Sequence, residues 1–477
     1  MSSMRLLFGI LLSLLTGFET SLLADTASQV TGSEPSAGWA EVEITPPLGI
    51  YLGGRGGPIT KSTKVLDPLY AQVTYLKDAK GTGLVLVSLD TVGIAHDLSD
   101  RIRTAIVREL GVEYNLVVIN CSHTHSGPYM IRDLMAAVEP TPPIESDYFK
   151  SLTDKLILAT RTAKTNLSPV TVEVFEGTSK VGINRRGKNK QGKIGIIPNP
   201  DGPMNEKLWV MKLTPTNGKA PALVFSYSCH PVIVYEYAGS AISADFPGVT
   251  RNTLREKLGK DLHCQFIQGT AGDMRPRILA DLQKKRFRAP KPEDLQQAGH
   301  DLADDVMATL KTSGTKLNLN LAGTMDRPFL PRDKPPGKEI YEAMAKEEKS
   351  KYRQAVAAYW LPRYESGDGF SRGDAWPLGL IRLADNQWVV YSGGEPCAEW
   401  VPKITQWLAP RHLVVWGYSQ ESISYLPTEE MLAAGGYEVH ESNHTRSTTP
   451  AAFAPGINEA ARQSLLRQAA FIEAPVK

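Results

Sequence analysis

Leu84–Leu89 (LVLVSL), Asp97–Leu110 (DLSDRIRTAIVREL) and Leu116–Ile119 (LVVI) decide the fold class. The two outer segments are short apolar runs, the pattern of strands covered on both faces. The middle one carries apolar residues at helical spacing behind an Asp or Ser N-cap, and Gly111 supplies a glycine that ends the helix. Strand, helix and strand at this spacing predict a βαβ unit, and hence an α/β protein.

Working outward, further strands are expected at Glu41–Ile44, Val170–Phe175, Leu208–Leu213, Ala222–Tyr227, Cys264–Gln268, Trp388–Ser392 and Leu413–Gly417. Helices are expected at Tyr148–Thr165, Phe246–Leu258 and Pro292–Thr312. Residues 335–362 differ: a Lys/Glu-rich core with helical periodicity lies between prolines. They predict an inserted helix or helical hairpin, read as a solvated face ahead of a functional lid. No interdomain linker is visible, so residues 39–477 are expected to form one large α/β domain with mixed sheets.

The N-terminus stands apart. Met1–Arg5 is positive, Leu6–Phe18 (LLFGILLSLLTGF) is apolar, and Ser21–Ala24 offers a small-residue exit. This predicts a signal peptide over residues 1–24, a flexible lead over 25–38, and a secreted or periplasmic protein. No later run of ~20 apolar residues follows, so no transmembrane segment is expected.

Lys+Arg 53 against Asp+Glu 51 leaves a net charge of +2, which argues against a nucleic-acid partner held by a basic field. With 42% apolar and 22% charged residues, wholesale disorder is excluded. The 4 cysteines are too few for a disulfide framework in a body of 477 residues, and no CxxC suggests a zinc ribbon. One or two bridges and buried free thiols both stay open.

The chemistry concentrates at His123–Pro128 (HTHSGP), just past the strand ending in LVVIN. In extended backbone, residues i and i+2 face the same way, so His123 and His125 are expected to address one point. Phe225–His230 (FSYSCH) is a second strand ending in histidine, stopped by Pro231. Trp388–Glu395 (WVVYSGGE) is a third strand, ending in a carboxylate behind two glycines that permit close approach. Trp416–Tyr425 (WGYSQESISY) then runs into a polar segment with two tyrosines. Neutral imidazoles with one carboxylate suit Zn²⁺, and a catalytic zinc takes three protein ligands and one labile position.

HTHSGP, Val181–Arg185 (VGINR), His230, Ser243–Gly248 (SADFPG), Gln268–Pro276 (QGTAGDMRP), Gly394-Glu395 and Tyr425–Glu438 (YLPTEEMLAAGGYE) occur in an order that resembles the neutral/alkaline non-lysosomal ceramidases. The resemblance runs from about Glu41 to Leu466, and HTHSGP is its most specific piece. It implies that family's catalytic fold and zinc bound by His123, His230, Glu395 and Tyr425. It further implies that His125, Arg185 and Tyr437 serve the substrate amide. The implied reaction is amide hydrolysis by a zinc-activated water.

Two departures bear on the substrate. Where the family pattern GDVSP has a serine, this chain has Arg275, and a guanidinium is no nucleophile. Arg275 is expected either to bind an anionic substrate group or to pair with Asp273. The chain also ends at Lys477, just after the catalytic region, so no C-terminal immunoglobulin-like domain is expected. Together these favour a small-molecule or lipid-like N-acyl substrate more polar than ceramide. Two alternatives accompany this reading: a TIM-barrel amidohydrolase built on HxH, and a non-catalytic exported binding protein. Neither Ser419, whose context breaks GxSxG, nor the Gly53–Gly57 cluster adds a competing motif.

Overall fold

The computed structural model describes residues 34–54, 60–131, 142–347, 350–446 and 449–474. The expected signal peptide therefore lies outside the described residues. Eight strands carry the main sheet: β1 (Ser36–Glu43), β2 (Tyr70–Lys77), β3 (Gly83–Leu89), β4 (Val117–Cys121), β5 (Ser168–Thr178), β6 (Lys207–Pro215), β7 (Ala222–Tyr227) and β8 (His263–Gln268). Their order is β8-β7-β6-β5-β1-β2-β3-β4, and Thr315–Lys316 adds a short extra partner to β5. The two ends are parallel pairs and the middle is antiparallel.

The parallel ends follow from the crossovers. Helix α1 (His96–Leu110) joins β3 to β4, the expected βαβ unit. Gly111 closes it in the left-handed region (φ 70), donating to the Val107 carbonyl, while Ala95 sits at its start with no side-chain cap. The expected Asp or Ser cap is therefore corrected. After α2 (Pro143–Thr165), helix α3 (Asp245–Leu258) joins β7 to β8 in the same way, and α4 (Pro292–Thr309) packs beside it.

A second sheet orders β9 (Ala322–Asp326), β10 (Leu378–Ala384), β11 (Gln387–Ser392) and β12 (His412–Trp416). Its β11 and β12 are again parallel, with a helix at Trp400–Trp407 between them. The pleat explains how the layers stack. Val85 and Val87 of β3 pack toward α1 and α2, whereas Leu84 and Leu86 pack with Ile381, Val389 and Trp416 of the second sheet. α3 and α4 cover β6–β8 beside Phe225 and Phe266, and the C-terminal helix Ile457–Glu473 covers the second sheet beside Leu380 and Val390. The molecule is thus layered helix, sheet, sheet, helix. These are open mixed sheets, not the closed parallel ring a TIM barrel requires, which removes that alternative.

Strand β1 starts at Ser36, earlier than expected, so residues 36–38 of the expected lead are strand. Strand β2 escaped the pattern because its interior positions include Gln72 and Thr74. Both are fully buried, paired to Glu41 and to Gln265. The insertion is helical, at Glu339–Ala345 and Lys351–Ser366, but it is more than a solvated face. Tyr341, Met344, Val356, Ala357 and Trp360 form a core of their own. Tyr341 and Trp360 donate to the carbonyls of His444 and Arg446 at 3.0 and 2.9 Å. All four cysteines are free and buried. Among the described residues, no helix is long and apolar enough to cross a membrane.

Candidate metal centre

Each of the three parallel pairs within the two large sheets delivers one reactive loop from the C-terminal end of a strand, the edge where α/β proteins place their sites. β4 leads to His123 and His125, β7 to His230, and β11 to Glu395. His125 Nε2 lies 3.3 Å from His123 Nε2, and Glu395 Oε2 lies 3.2 Å from His123 Nε2 and 3.4 Å from His230 Nε2. The Tyr425 hydroxyl is 3.4 Å from His230 Nε2. The four residues expected as ligands therefore converge, and His125 joins them.

The expected reason for the histidine pairing is corrected. His123 is not extended but left-handed (φ 67), a strained conformation for a residue with a side chain. Its N–H donates to Thr91 O at 2.9 Å, so the loop is tied to the segment after β3. Gly394 is also left-handed (φ 70), and a Cβ there would meet Ser424 O at 2.6 Å. The glycines before Glu395 do permit the close approach that the sequence suggested.

Two buried amides staple these strand ends together. Asn120 Nδ2 donates to Gly417 O at 2.7 Å and to Gln268 O at 3.2 Å, while its Oδ1 accepts from Gln268 N at 2.8 Å. Gln268 Nε2 donates to the carbonyls of Ser122 and Cys229, both at 2.9 Å. One amide pair thus locks the residues next to His123, His230 and the β12 terminus. Gln268 lay inside a quoted motif and Asn120 ends a quoted strand, yet nothing local marks either as a staple.

Hydrogen bonding sets the histidine tautomers. His123 Nδ1 is 2.6 Å from Val92 O, and His230 Nδ1 is 2.6 Å from Ala271 O. A carbonyl only accepts, so each Nδ1 carries the proton and each Nε2 presents a lone pair to the shared centre. Burial, then the charge of Arg185, lowers His230 to about 3, so it is neutral. Burial also holds His125 well below its usual value.

A second wall supports the first. Arg185 is buried, donates from Nε to Glu438 Oε1 at 2.9 Å, and lies over the rings of Tyr425 and Tyr437 at 5.4 and 5.7 Å. Arg186 reaches the other oxygen of Glu438 at 2.6 Å. Tyr437, with His123, His125, Glu395 and Tyr425, lines a pocket of about 130 Å³. Glu438 had no expected role. Tyr418 was likewise unassigned; its ring lies 4.3 Å from that of His123, and its buried hydroxyl has no hydrogen-bond partner among the described residues.

Arg275 is the main correction. Its guanidinium pairs with Glu236 and stacks 4.8 Å from the Phe287 ring, outside the pocket. Asp273 does not neutralise it. That carboxylate instead accepts from Asn184 Nδ2 at 2.9 Å and Ala398 N at 2.8 Å.

The donor set fits a divalent cation. His123, His125 and His230 offer ring nitrogens that all lie within 4.8 Å of one another. Glu395 Oε2 is buried against two imidazoles yet makes no hydrogen bond among the described residues. A carboxylate oxygen facing nitrogen lone pairs is repelled unless a cation or proton lies between them. Backbone carbonyls that orient the far ring nitrogens are the usual support of metal-bound histidines.

An open layered α/β fold with a histidine–carboxylate cluster at its parallel strand ends is thus the class of protein defined here. No protein-family model matches the chain. Among solved structures, it is similar to a neutral ceramidase from Pseudomonas aeruginosa, with a TM-score of 0.71 and 16% identity over 93% of this chain and 75% of that one. It is equally similar to a structure described as a ceramidase complexed with C2, at 0.71 and 16%, covering 93% and 77%. The chain has the ceramidase fold.

Proposed function

We propose that this chain is an exported metal-dependent hydrolase that cleaves a linear N-acyl amide. Zinc is the proposed ion, held by His123, His230, Glu395 and Tyr425. The observation that carries the reading is the convergence of lone-pair-bearing Nε2 atoms on a buried Glu395 oxygen that lacks a hydrogen bond. The fold shared with two ceramidase structures supports an amide as the bond cleaved. A divalent ion bound there would supply a water of lowered pKa and polarise the acyl carbonyl.

The chain's own side chains do the rest. His125, in the pocket beside His123, is placed to take a proton from the attacking water and return it to the leaving amine. Tyr437 offers a phenol to the substrate amide from the same pocket. Arg185 holds the Tyr425 and Tyr437 rings in place from behind. Arg275 is left out of the proposed set. The test is hydrolysis of an N-dodecanoyl amide by protein stripped with a chelator and then reconstituted. Activity should vanish on stripping and return with Zn²⁺; full activity in metal-free protein would refute the reading.

A further inference from the structure

The pocket has a second polar wall that the proposed chemistry does not use. Ser442, Thr445 and Arg446 line it, contributed by the short 3-10 turn Glu441–Asn443 and the residues after it. Arg446 is fixed at both ends. Its Nη1 donates to Ile423 O at 2.7 Å, and its own carbonyl accepts the Trp360 indole N–H at 2.9 Å. The helical insertion therefore anchors this residue.

What Arg446 lacks is a counter-charge. No carboxylate pairs with it among the described residues, and Glu395, the one carboxylate among those lining the pocket, faces His123 and His230 at 3.2 and 3.4 Å. Ser442, which lines the same pocket, is only 9% exposed, and its hydroxyl has no hydrogen-bond partner among the described residues. A buried hydroxyl without a partner is costly unless a ligand completes it. A planar guanidinium with a hydroxyl alongside is the donor set of a carboxylate, sulfonate or phosphate site.

We infer that Arg446 and Ser442 form an anion subsite, and that the substrate is an N-acyl compound with an anionic group on its amine half. This rests on the amide-hydrolase reading above. Val92 and Ile131 provide apolar lining suited to the acyl chain, which leaves the Ser442–Arg446 wall for the amine half. The anionic preference that the sequence attached to Arg275 thus moves to a residue with no acidic partner among the described residues.

The experiment compares N-dodecanoylglycine with N-dodecanoylethanolamine on wild type, Arg446→Gln, Arg446→Lys and Ser442→Ala. Wild type should favour the glycine conjugate in kcat/KM by about tenfold or more, the worth of one charged hydrogen bond. Arg446→Gln should collapse that ratio, Arg446→Lys should retain part of it, and Ser442→Ala should lower it by a smaller factor. A wild-type ratio near one, or a ratio unchanged in Arg446→Gln, would overturn the inference. If neither amide is hydrolysed, the hydrolase reading fails, and calorimetric binding of the same pair decides the subsite. Tighter binding of the glycine conjugate that Arg446→Gln abolishes would uphold it; equal binding would refute it. Ser442→Ala, which leaves the Arg446 anchors intact, covers the case in which Arg446→Gln does not fold.

Discussion

Glu395 and Tyr425 are register partners in a two-residue parallel ladder, with Glu395 N–H donating to Ser424 O at 2.8 Å. The carboxylate and the phenol therefore reach the histidines from adjacent strands whose spacing the backbone fixes. The carboxylate can meet a cation without giving up a phenolic proton, whereas burial raises the Tyr425 hydroxyl well above its usual value. Glu395→Gln is expected to weaken zinc affinity by about 100-fold or more, and Tyr425→Phe by roughly tenfold or less. Competition with a chromophoric chelator measures both. A larger loss in Tyr425→Phe would make the phenol the dominant ligand.

His123 and His125 lie side by side, but the proposed ligand is His123. Its Nδ1 is oriented by Val92 O, as that of His230 is by Ala271 O. His123→Ala should lose the metal, while His125→Ala should keep affinity within about threefold and lose most of kcat. Equal metal loss in the two variants would point to a three-histidine centre.

Glu438 serves two buried guanidinium groups at once. Burial raises its carboxyl, but Arg185 and Arg186 outweigh that, so it stays ionised. Glu438→Gln would leave two buried cations sharing a neutral amide, at an expected cost of about 3–5 kcal/mol in urea unfolding. A loss below about 1 kcal/mol would mean that water reaches and solvates the pair.

His263 predicts an acid-labile step unrelated to the centre. It begins β8, stacks 6.0 Å from Trp39, and lies 3.3 Å from the Thr74 hydroxyl. Burial lowers it to about 4 from 6.5, so the unfolded chain binds its proton first. Its contribution is complete above pH 6.5 and is lost as pH falls toward 4, a change of roughly 2–3 kcal/mol. His263→Gln should unfold with a flatter pH dependence between those limits. Parallel profiles for wild type and variant would rule this out.

The centre was more legible than its supports. His230 announced itself because an apolar strand stopped at His-Pro, and Glu395 because a strand ran into Gly-Gly-Glu. Both signals are local. Glu438 and Arg446 carry none, since what defines them is a partner, or the want of one, brought near by folding across more than 80 residues. Strand β2 was unreadable for a related reason: Gln72 and Thr74 interrupt the apolar pattern, and their partners lie on β1 and β8. Arg275 misled because it occupies the place of a family serine, whereas its neighbour in space is Glu236.

The most direct measurement is the metal content of purified wild type and His230→Ala, by elemental analysis after exchange into chelator-treated buffer with limiting zinc. About one zinc per chain is expected in wild type, and well under a tenth of that in the variant. Wild type that takes up no stoichiometric metal, or a variant that binds as much as wild type, would contradict a metal centre at His123, His230 and Glu395.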